Sequence, residues 1–307
     1  MNASNPGRAP NAKAGAGGQK GQQAAQRKPS VPPTFADVKY GPYDANVLDL
    51  WLAKSDKPTP VLLSIHGGGF RSGSKAQINT PLRDKCLASG ISCAAIEYRL
   101  SQAAQYPAQM HDCARAVQFL RSNAKKWNID KTRFASTGGS AGAGISLWLA
   151  FHDDLAKPES DDPVEREATR LTCVMVSGLQ STYDPREIRK IVPGNAYDVQ
   201  PIKQLFGLPD TWNWDKDKVD AVLDARLKDA SPITHLTKDD APAYALYNEQ
   251  NNVPGNIHNA SFGKYLKEQM DKIGIECVVK MDTDYPGGQI EIANDMFAFM
   301  IKHFGMP

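Results

Sequence analysis

Arg133-Phe134-Ala135-Ser136-Thr137-Gly138-Gly139-Ser140-Ala141-Gly142-Ala143-Gly144 is a strand-like run that enters a glycine cluster, and a small-residue helix leaves it from Ala141 toward Leu147 and Leu149. At the junction, Gly138-Gly139-Ser140-Ala141-Gly142 matches the pattern G-x-S-x-G. A serine on a sharp strand-to-helix turn has a strained backbone, and flanking glycines remove the Cβ atoms that would clash there. The turn pushes the hydroxyl out over the sheet edge. The N-terminus of the following helix then points its positive dipole end at any oxyanion formed nearby. A glycine-rich helix cap without chemistry fits the same five residues, so the motif alone leaves both readings open.

A second stretch shifts the balance. Val61-Leu62-Leu63-Ser64-Ile65 is an apolar strand that runs directly into His66-Gly67-Gly68-Gly69. Three glycines after a buried strand let backbone N–H groups turn toward a small ligand, and acyl transfer needs such donors to hold a tetrahedral oxyanion. A plain tight turn is the alternative. Two glycine signals, each ending a strand and in this chain order, favour the chemical reading.

With these motifs in place, the chain resembles the HGGG-type esterase/lipase group of α/β-hydrolases, similar to the hormone-sensitive-lipase-like and bacterial feruloyl/acetyl-esterase-like families. Glu97-Tyr98-Arg99-Leu100 resembles the group's D/E-Y-R-L, and Tyr106-Pro107-Ala108 with Asp112 resembles its F/Y-P-A…D stretch. Trp127-Asn128-Ile129-Asp130 resembles its G-I-D loop, and Ser231-Pro232-Ile233 through Ala241-Pro242 its S-P-L…P-P segment. The resemblance covers roughly residues 35–305. It implies a mostly parallel sheet of about eight strands flanked by helices, with an inserted cap. It also implies a serine carboxylesterase with Ser140 as nucleophile and the N–H groups of Gly68, Gly69 and Ala141 as oxyanion donors. His66, Gly67, Gly138 and Gly142 then belong to the structural motif. No cofactor and no metal are required.

Composition agrees with an enzyme of this class. The chain has 307 residues, a length at which α/β folds often form one domain. A hydrophobic content of 41% suffices for a large core. The formal charge of +2 makes no electrostatic case for nucleic acid or an anionic membrane. No apolar run approaches the ~18 residues needed to span a bilayer. Cys86, Cys93, Cys113, Cys173 and Cys277 are an odd set within apolar patterns and read as buried free thiols, without metal-ligand spacing. Residues 1–33 are rich in Ala, Gly, Gln, Asn, Pro and Lys and read as a disordered tail without the apolar region of an intact secretory signal.

Residues 34–307 read as the hydrolase domain. Alternation over 35–54 predicts an antiparallel hairpin at the sheet edge. Strands and helices then alternate, as in a parallel sheet covered on both faces: strands at 92–99, 173–179, 243–248 and 276–281, helices at 110–127, 259–272 and 291–304. The acidic run 159–165 reads as a solvated loop and helix start. Residues 181–230 read as a cap over the C-terminal edge of the sheet, where open α/β sheets bind ligands. Its aromatic residues, Trp212 and Trp214 among them, either line an acyl or sugar pocket or form a small core of their own.

The rest of the catalytic set departs from the family. A serine hydroxyl needs a base, usually a histidine oriented by a carboxylate, in the chain order Ser, Asp/Glu, His for this fold. In the loop after strand 243–248, Gln250 takes the acid's place when Val253-Pro254 is aligned, and Glu249 is the nearby carboxylate. The loop after strand 276–281, 282–289, contains Asp282 and Asp284 but no histidine. Of the six histidines, His66 belongs to the oxyanion loop, His111 reads as structural and His152 as exposed. His235 reads as a turn cap and His303 as a cation at a helix end. His258, in the loop that usually carries the acid, remains. The expectation is therefore an exchange of roles, with His258 as base and Asp284 or Asp282 orienting it. Three functions follow: hydrolysis of short acyl esters, acetyl or feruloyl groups on polysaccharide among them; a pseudo-hydrolase that binds a ligand or partner without turnover; and a peptidase, for which no charged subsite is visible. The substrate of the first is a small-molecule or glycan-linked ester.

Overall fold

Eight strands carry the apolar runs: β1 (Phe35–Lys39), β2 (Val47–Trp51), β3 (Thr59–Ile65), β4 (Ser92–Ile96), β5 (Ile129–Gly139), β6 (Cys173–Ser177), β7 (Ala243–Tyr247) and β8 (Cys277–Met281). They lie in one sheet in the order β1-β2-β4-β3-β5-β6-β7-β8. β1 and β2 pair antiparallel, β2 joins β4 antiparallel, and every later pairing is parallel. This computed structural model describes residues 31–307, and the tail read over 1–33 falls outside the described residues up to residue 30.

Burial explains the two kinds of strand. β4 is buried at every residue and β3 at all but Ser64, as in a sheet with helices on both faces. Successive side chains point to opposite faces, so neighbours in one strand enter different cores. Leu63, Ile65, Val174 and Val176 join one apolar cluster, while Leu62, Ala135, Cys173 and Met175 join the other. All five cysteines are buried and free.

Among the described residues, ten α-helices accompany the sheet: α1 (Thr80–Ala88), α2 (Ala108–Ser122), α3 (Ala124–Trp127), α4 (Ala141–Phe151), α5 (Pro185–Ile191), α6 (Gln200–Leu205), α7 (Ala221–Ala230), α8 (Pro232–His235), α9 (Ser261–Lys272) and α10 (Gln289–Phe304). The helix expected over 110–127 is two pieces, because Asn123 interrupts it. α4 is buried along its whole length. Its small residues suit a helix enclosed between the sheet and its neighbours, since larger ones would force the layers apart. No helix among the described residues is long and apolar enough to cross a membrane.

The acidic run forms turns instead of a helix start. Asp162 accepts from the Val164 amide at 2.9 Å and pairs with Arg115 at 2.8 Å, and Ser160 donates to Glu165. Side chains that bond their own backbone compete with a first helical turn. The segment 181–230 holds α5, α6 and α7, and its apolar residues do not form a separate core. Ile188, Ile202, Leu205, Phe206 and Leu227 are buried in the same cluster as β3 and α4, with Trp212 and Trp214 packed against it.

Arg99 and Asp112 join the end of β4 to α2. Arg99 gives Asp112 two side-chain bonds, at 2.7 and 2.8 Å, and its backbone N–H adds a third at 3.0 Å. The Asp112 side chain is only 5% exposed. Arg99→Ala strands that charge and is expected to destabilise the fold by about 3 kcal/mol, measured by urea unfolding.

Candidate active site

Strand register brings the two glycine motifs together. Ile65 of β3 pairs with Gly138 of β5, so the next residues of each, His66-Gly67 and Gly139-Ser140, emerge side by side at the C-terminal edge. Gly67 has room only as glycine, since a Cβ there would stand 2.6 Å from the Gly139 carbonyl oxygen. Ser140 sits at φ 53, ψ −118, a conformation a residue with a Cβ adopts only under strain. Its N–H donates to the Ser177 carbonyl at 3.0 Å, and its own carbonyl accepts from Gly144 at 3.0 Å. The elbow is thus held from the strand side and from the helix side.

The base candidate arrives from the far side of β6. Ser140 Oγ and His258 Nε2 are 2.8 Å apart. The loop between β7 and α9 is tied down to make this possible. Asn256 Oδ1 accepts from the His258 N–H at 2.8 Å, and Gln180 Nε2 donates to both Ile257 O and Gly178 O at 3.0 and 2.8 Å. The imidazole lies against Gly178, where an added Cβ would stand 3.2 Å from His258 Cδ2. Sequence reasoning missed Gln180, Asn256 and Gly178. The one available signal was a glycine directly after a buried parallel strand, and Gly178 does adopt φ +56.

The expected orienting carboxylates are not beside His258. Asp284 is exposed, and its Oδ2 accepts from the Met281 N–H at 2.9 Å. Asp282 accepts from Asn248 Nδ2 at 2.7 Å and from the Glu249 N–H at 2.9 Å. Glu249 itself is exposed on the one-turn helix Glu249–Asn251. Each carboxylate is already engaged: Asp284 turns back onto the Met281 N–H of its own 3₁₀ turn, and Asp282 crosses to the loop after β7, so neither is left to reach the imidazole. Burial lowers the pKa of His258, with no charged neighbour acting against it.

The HGGG loop is held from behind. His66 is stacked on Tyr98, with centroids 4.2 Å apart and rings 9° from parallel. Its Nδ1 is 2.9 Å from Gly67 O and its Nε2 is 3.3 Å from Glu97 Oε1, while Tyr98 Oη donates to His66 O at 2.9 Å. The Glu97-Tyr98 pair therefore fixes the loop; burial pushes the Glu97 pKa up, but His66 and the Lys75 N–H, which donates to Glu97 at 3.0 Å, outweigh it and leave the pKa lowered. Gly68 and Gly69 take positive φ, 106° and 61°. Pro201 of α6 covers Gly69, and Arg71 donates to Gln200 beside it. Ala141, as the first residue of α4, has an N–H without a helical acceptor.

A cavity of about 590 Å³ opens beside Ser140 and His258. Gly67, Gly139 and Gly178 line it, together with the polar Gln77, Asn79, Asn248, Asn251, Asp282 and Gln289 and the apolar Ile292 and Met296. Gly68, Gly69 and Ala141 are not in its lining, nor is any aromatic residue of 181–230. Tyr183 and Phe206 lie in the core, Tyr197, Trp212 and Trp214 pack against it, and Pro201 lies over the HGGG loop.

A known family model matches residues 48–258, from β2 to His258. The chain belongs to the BD-FAE family. The esterase LipC of Mycobacterium tuberculosis is 26% identical to this BD-FAE chain over 68% of the chain and 49% of LipC. The chain thus spans about half the length of the curated relatives it matches. Among solved structures, a truncated carbohydrate esterase from gut microbiota superposes with a TM-score of 0.70 at 21% identity, covering 88% of the chain and 95% of that protein. An acetyl ester-xyloside bifunctional hydrolase from Caldicellulosiruptor lactoaceticus superposes with a TM-score of 0.64 at 20% identity, covering 84% and 88%. These place the BD-FAE chain in the α/β-hydrolase fold.

Proposed function

We propose that this protein hydrolyses carboxylic esters through Ser140, with His258 as the base. The observation that carries the reading is the 2.8 Å contact between Ser140 Oγ and His258 Nε2 at a strained strand-to-helix turn. Ser140 Oγ attacks the acyl carbonyl as His258 Nε2 takes its proton. The N–H groups of Gly68, Gly69 and Ala141 hold the oxyanion. His258 then returns the proton to the leaving alcohol, and water repeats the sequence on the acyl-enzyme.

The cavity supports a substrate class. Its amide side chains and Asp282 offer hydrogen-bond partners to a hydroxyl-rich alcohol, beside the apolar side chains of Ile65, Leu246, Ile292 and Met296. A short acyl group on a saccharide fits this lining, and both structural neighbours, a carbohydrate esterase and an acetyl ester-xyloside hydrolase, support it.

A second reading rests on one observation. Among the described residues no carboxylate bonds to His258. A serine–histidine pair without an orienting acid suits a pseudo-hydrolase that binds an ester without turning it over. Hydrolysis of a p-nitrophenyl acetate by the full chain, compared with Ser140→Ala, separates the two: a rate equal to that of the variant establishes the binding module.

The pH profile follows from the site. His258 accepts the Ser140 proton only when neutral, and burial lowers its pKa. The rate is therefore expected to rise through a midpoint below the ordinary histidine value of about 6.5 and to be level at neutral pH. A kcat/KM profile with its midpoint clearly above that value excludes His258 as the base.

A further inference from the structure

His152, Asp229 and His235 meet at the other end of the helix that begins beside Ser140. α4 has 11 residues, so at 1.5 Å per residue its ends stand about 16 Å apart. His152 follows its last turn, Asp229 lies in the last turn of α7, and His235 ends α8. One potential ligand atom from each lies within 4.8 Å of the others. Asp229 Oδ1 is 3.6 Å from His152 Nε2 and 3.8 Å from His235 Nε2, and the two imidazole centroids are 4.4 Å apart. The ester chemistry described above uses none of these groups.

We propose that His152 Nε2, His235 Nε2 and Asp229 Oδ1 form a mononuclear site for a divalent transition ion of borderline softness, zinc above all, which clamps the end of α4 to the α7–α8 corner. Two imidazoles and one carboxylate are ligands for such ions. In a tetrahedral zinc site with bonds of about 2.0–2.1 Å, neighbouring ligand atoms stand about 3.3 Å apart. The observed 3.6 and 3.8 Å need to close by a few tenths of an ångström, and the two imidazole ligand atoms, which lie within 4.8 Å of each other, by up to about 1.5 Å. A water completes the shell, for which the half-exposed Asp229, at 47%, leaves access.

The surroundings prepare two of the three ligands. His152 Nδ1 is 2.9 Å from the Asp153 carbonyl, which can only accept, so Nδ1 keeps its proton and Nε2 is the atom that offers a lone pair once the ring is neutral. The ring is braced against Trp148, with centroids 4.1 Å apart. Tyr106 Oη donates to Asp229 Oδ2, which leaves Oδ1 for the ion. His235 Nε2 is 2.7 Å from the Asp229 carbonyl and must release that contact, its proton moving to Nδ1. The carbonyl keeps a donor, because Trp148 Nε1 also reaches it at 2.8 Å. The competing account is an ion pair between a charged His152 and Asp229 that binds no metal.

Titration of chelator-treated full-length protein with Zn²⁺ against a chromophoric indicator tests the proposal. One equivalent is expected for the parent and for His258→Ala, with affinity at least about tenfold weaker in His152→Ala and in Asp229→Asn. At zinc of about 100 times the parent Kd, the unfolding equilibrium of the parent is expected to shift about 100-fold toward the folded state, and that of His152→Ala by about 10-fold or less. Far-UV circular dichroism of the metal-free variants shows whether they fold, and Asp229→Asn keeps the side-chain volume should His152→Ala fail. Absence of saturable binding overturns the proposal. So does binding that survives both His152→Ala and Asp229→Asn, or that disappears only in His258→Ala.

Discussion

Ser140→Ala and His258→Ala are each expected to lower kcat/KM for a short-chain p-nitrophenyl ester by about 10⁴- to 10⁶-fold, with the fold intact. The two groups act as a unit across one 2.8 Å contact, so removing either disables the same proton transfer and the double variant loses little more. An oxyanion hole alone still leaves about 10³–10⁴-fold over water, so the variants are to be compared with the parent and not with buffer. Asp284→Ala and Glu249→Ala serve as contrasts. Both carboxylates are exposed and neither bonds to His258, and each variant is expected to stay within about threefold of the parent, since surface changes away from the chemistry shift free energies by less than ~0.5 kcal/mol. A large loss in Asp284→Ala with a mild one in His258→Ala would show that another base serves Ser140.

Gly142→Ala is expected to destabilise the protein by at least about 3 kcal/mol, a large share of the ~5–15 kcal/mol typical of a folded domain. Alanine ordinarily favours a helix interior over glycine by about 1 kcal/mol. Here the added Cβ would stand 2.1 Å from the Ile65 carbonyl oxygen and 2.7 Å from that of His66. Both are backbone atoms in or next to β3, so relief requires α4 to move away from the sheet, which carries Ser140 away from the HGGG loop. Gly274→Ala is the control: its Cβ would meet nothing within 4 Å and adds only the strain of φ +76. Urea unfolding of the two variants decides the matter, and equal losses would show that α4 has room to yield.

Several parts of the site were legible in the sequence because their chemistry is local. Gly138-Gly139-Ser140-Ala141-Gly142 encodes its own turn, and the glycines of the HGGG stretch encode backbone that side chains rarely adopt. Glu97, Tyr98, Arg99 and Asp112 were recognised as a pattern, but not for what they do. The structure shows the first two holding His66 and the last two joining β4 to α2. His258 could be singled out by elimination and by its place after β7, yet its distance to Ser140 depends on Gln180 and Asn256, which carry no motif.

By itself, then, the sequence determined the α/β layering, the strand-to-helix elbow at Ser140 and the glycine loop facing it. Each of these follows from side-chain periodicity or backbone freedom within a few residues. Only the tertiary structure decided which loop reaches Ser140, that Asp284 turns back onto its own turn while Asp282 bonds the loop after β7, and that the aromatics of 181–230 enter the core or pack against it and stay out of the cavity. It also decided that His152 and His235, read separately as an exposed residue and a turn cap, stand together with Asp229. Contacts between residues some 80 or 120 positions apart are set by how helices pack on the sheet, and no local pattern encodes that packing.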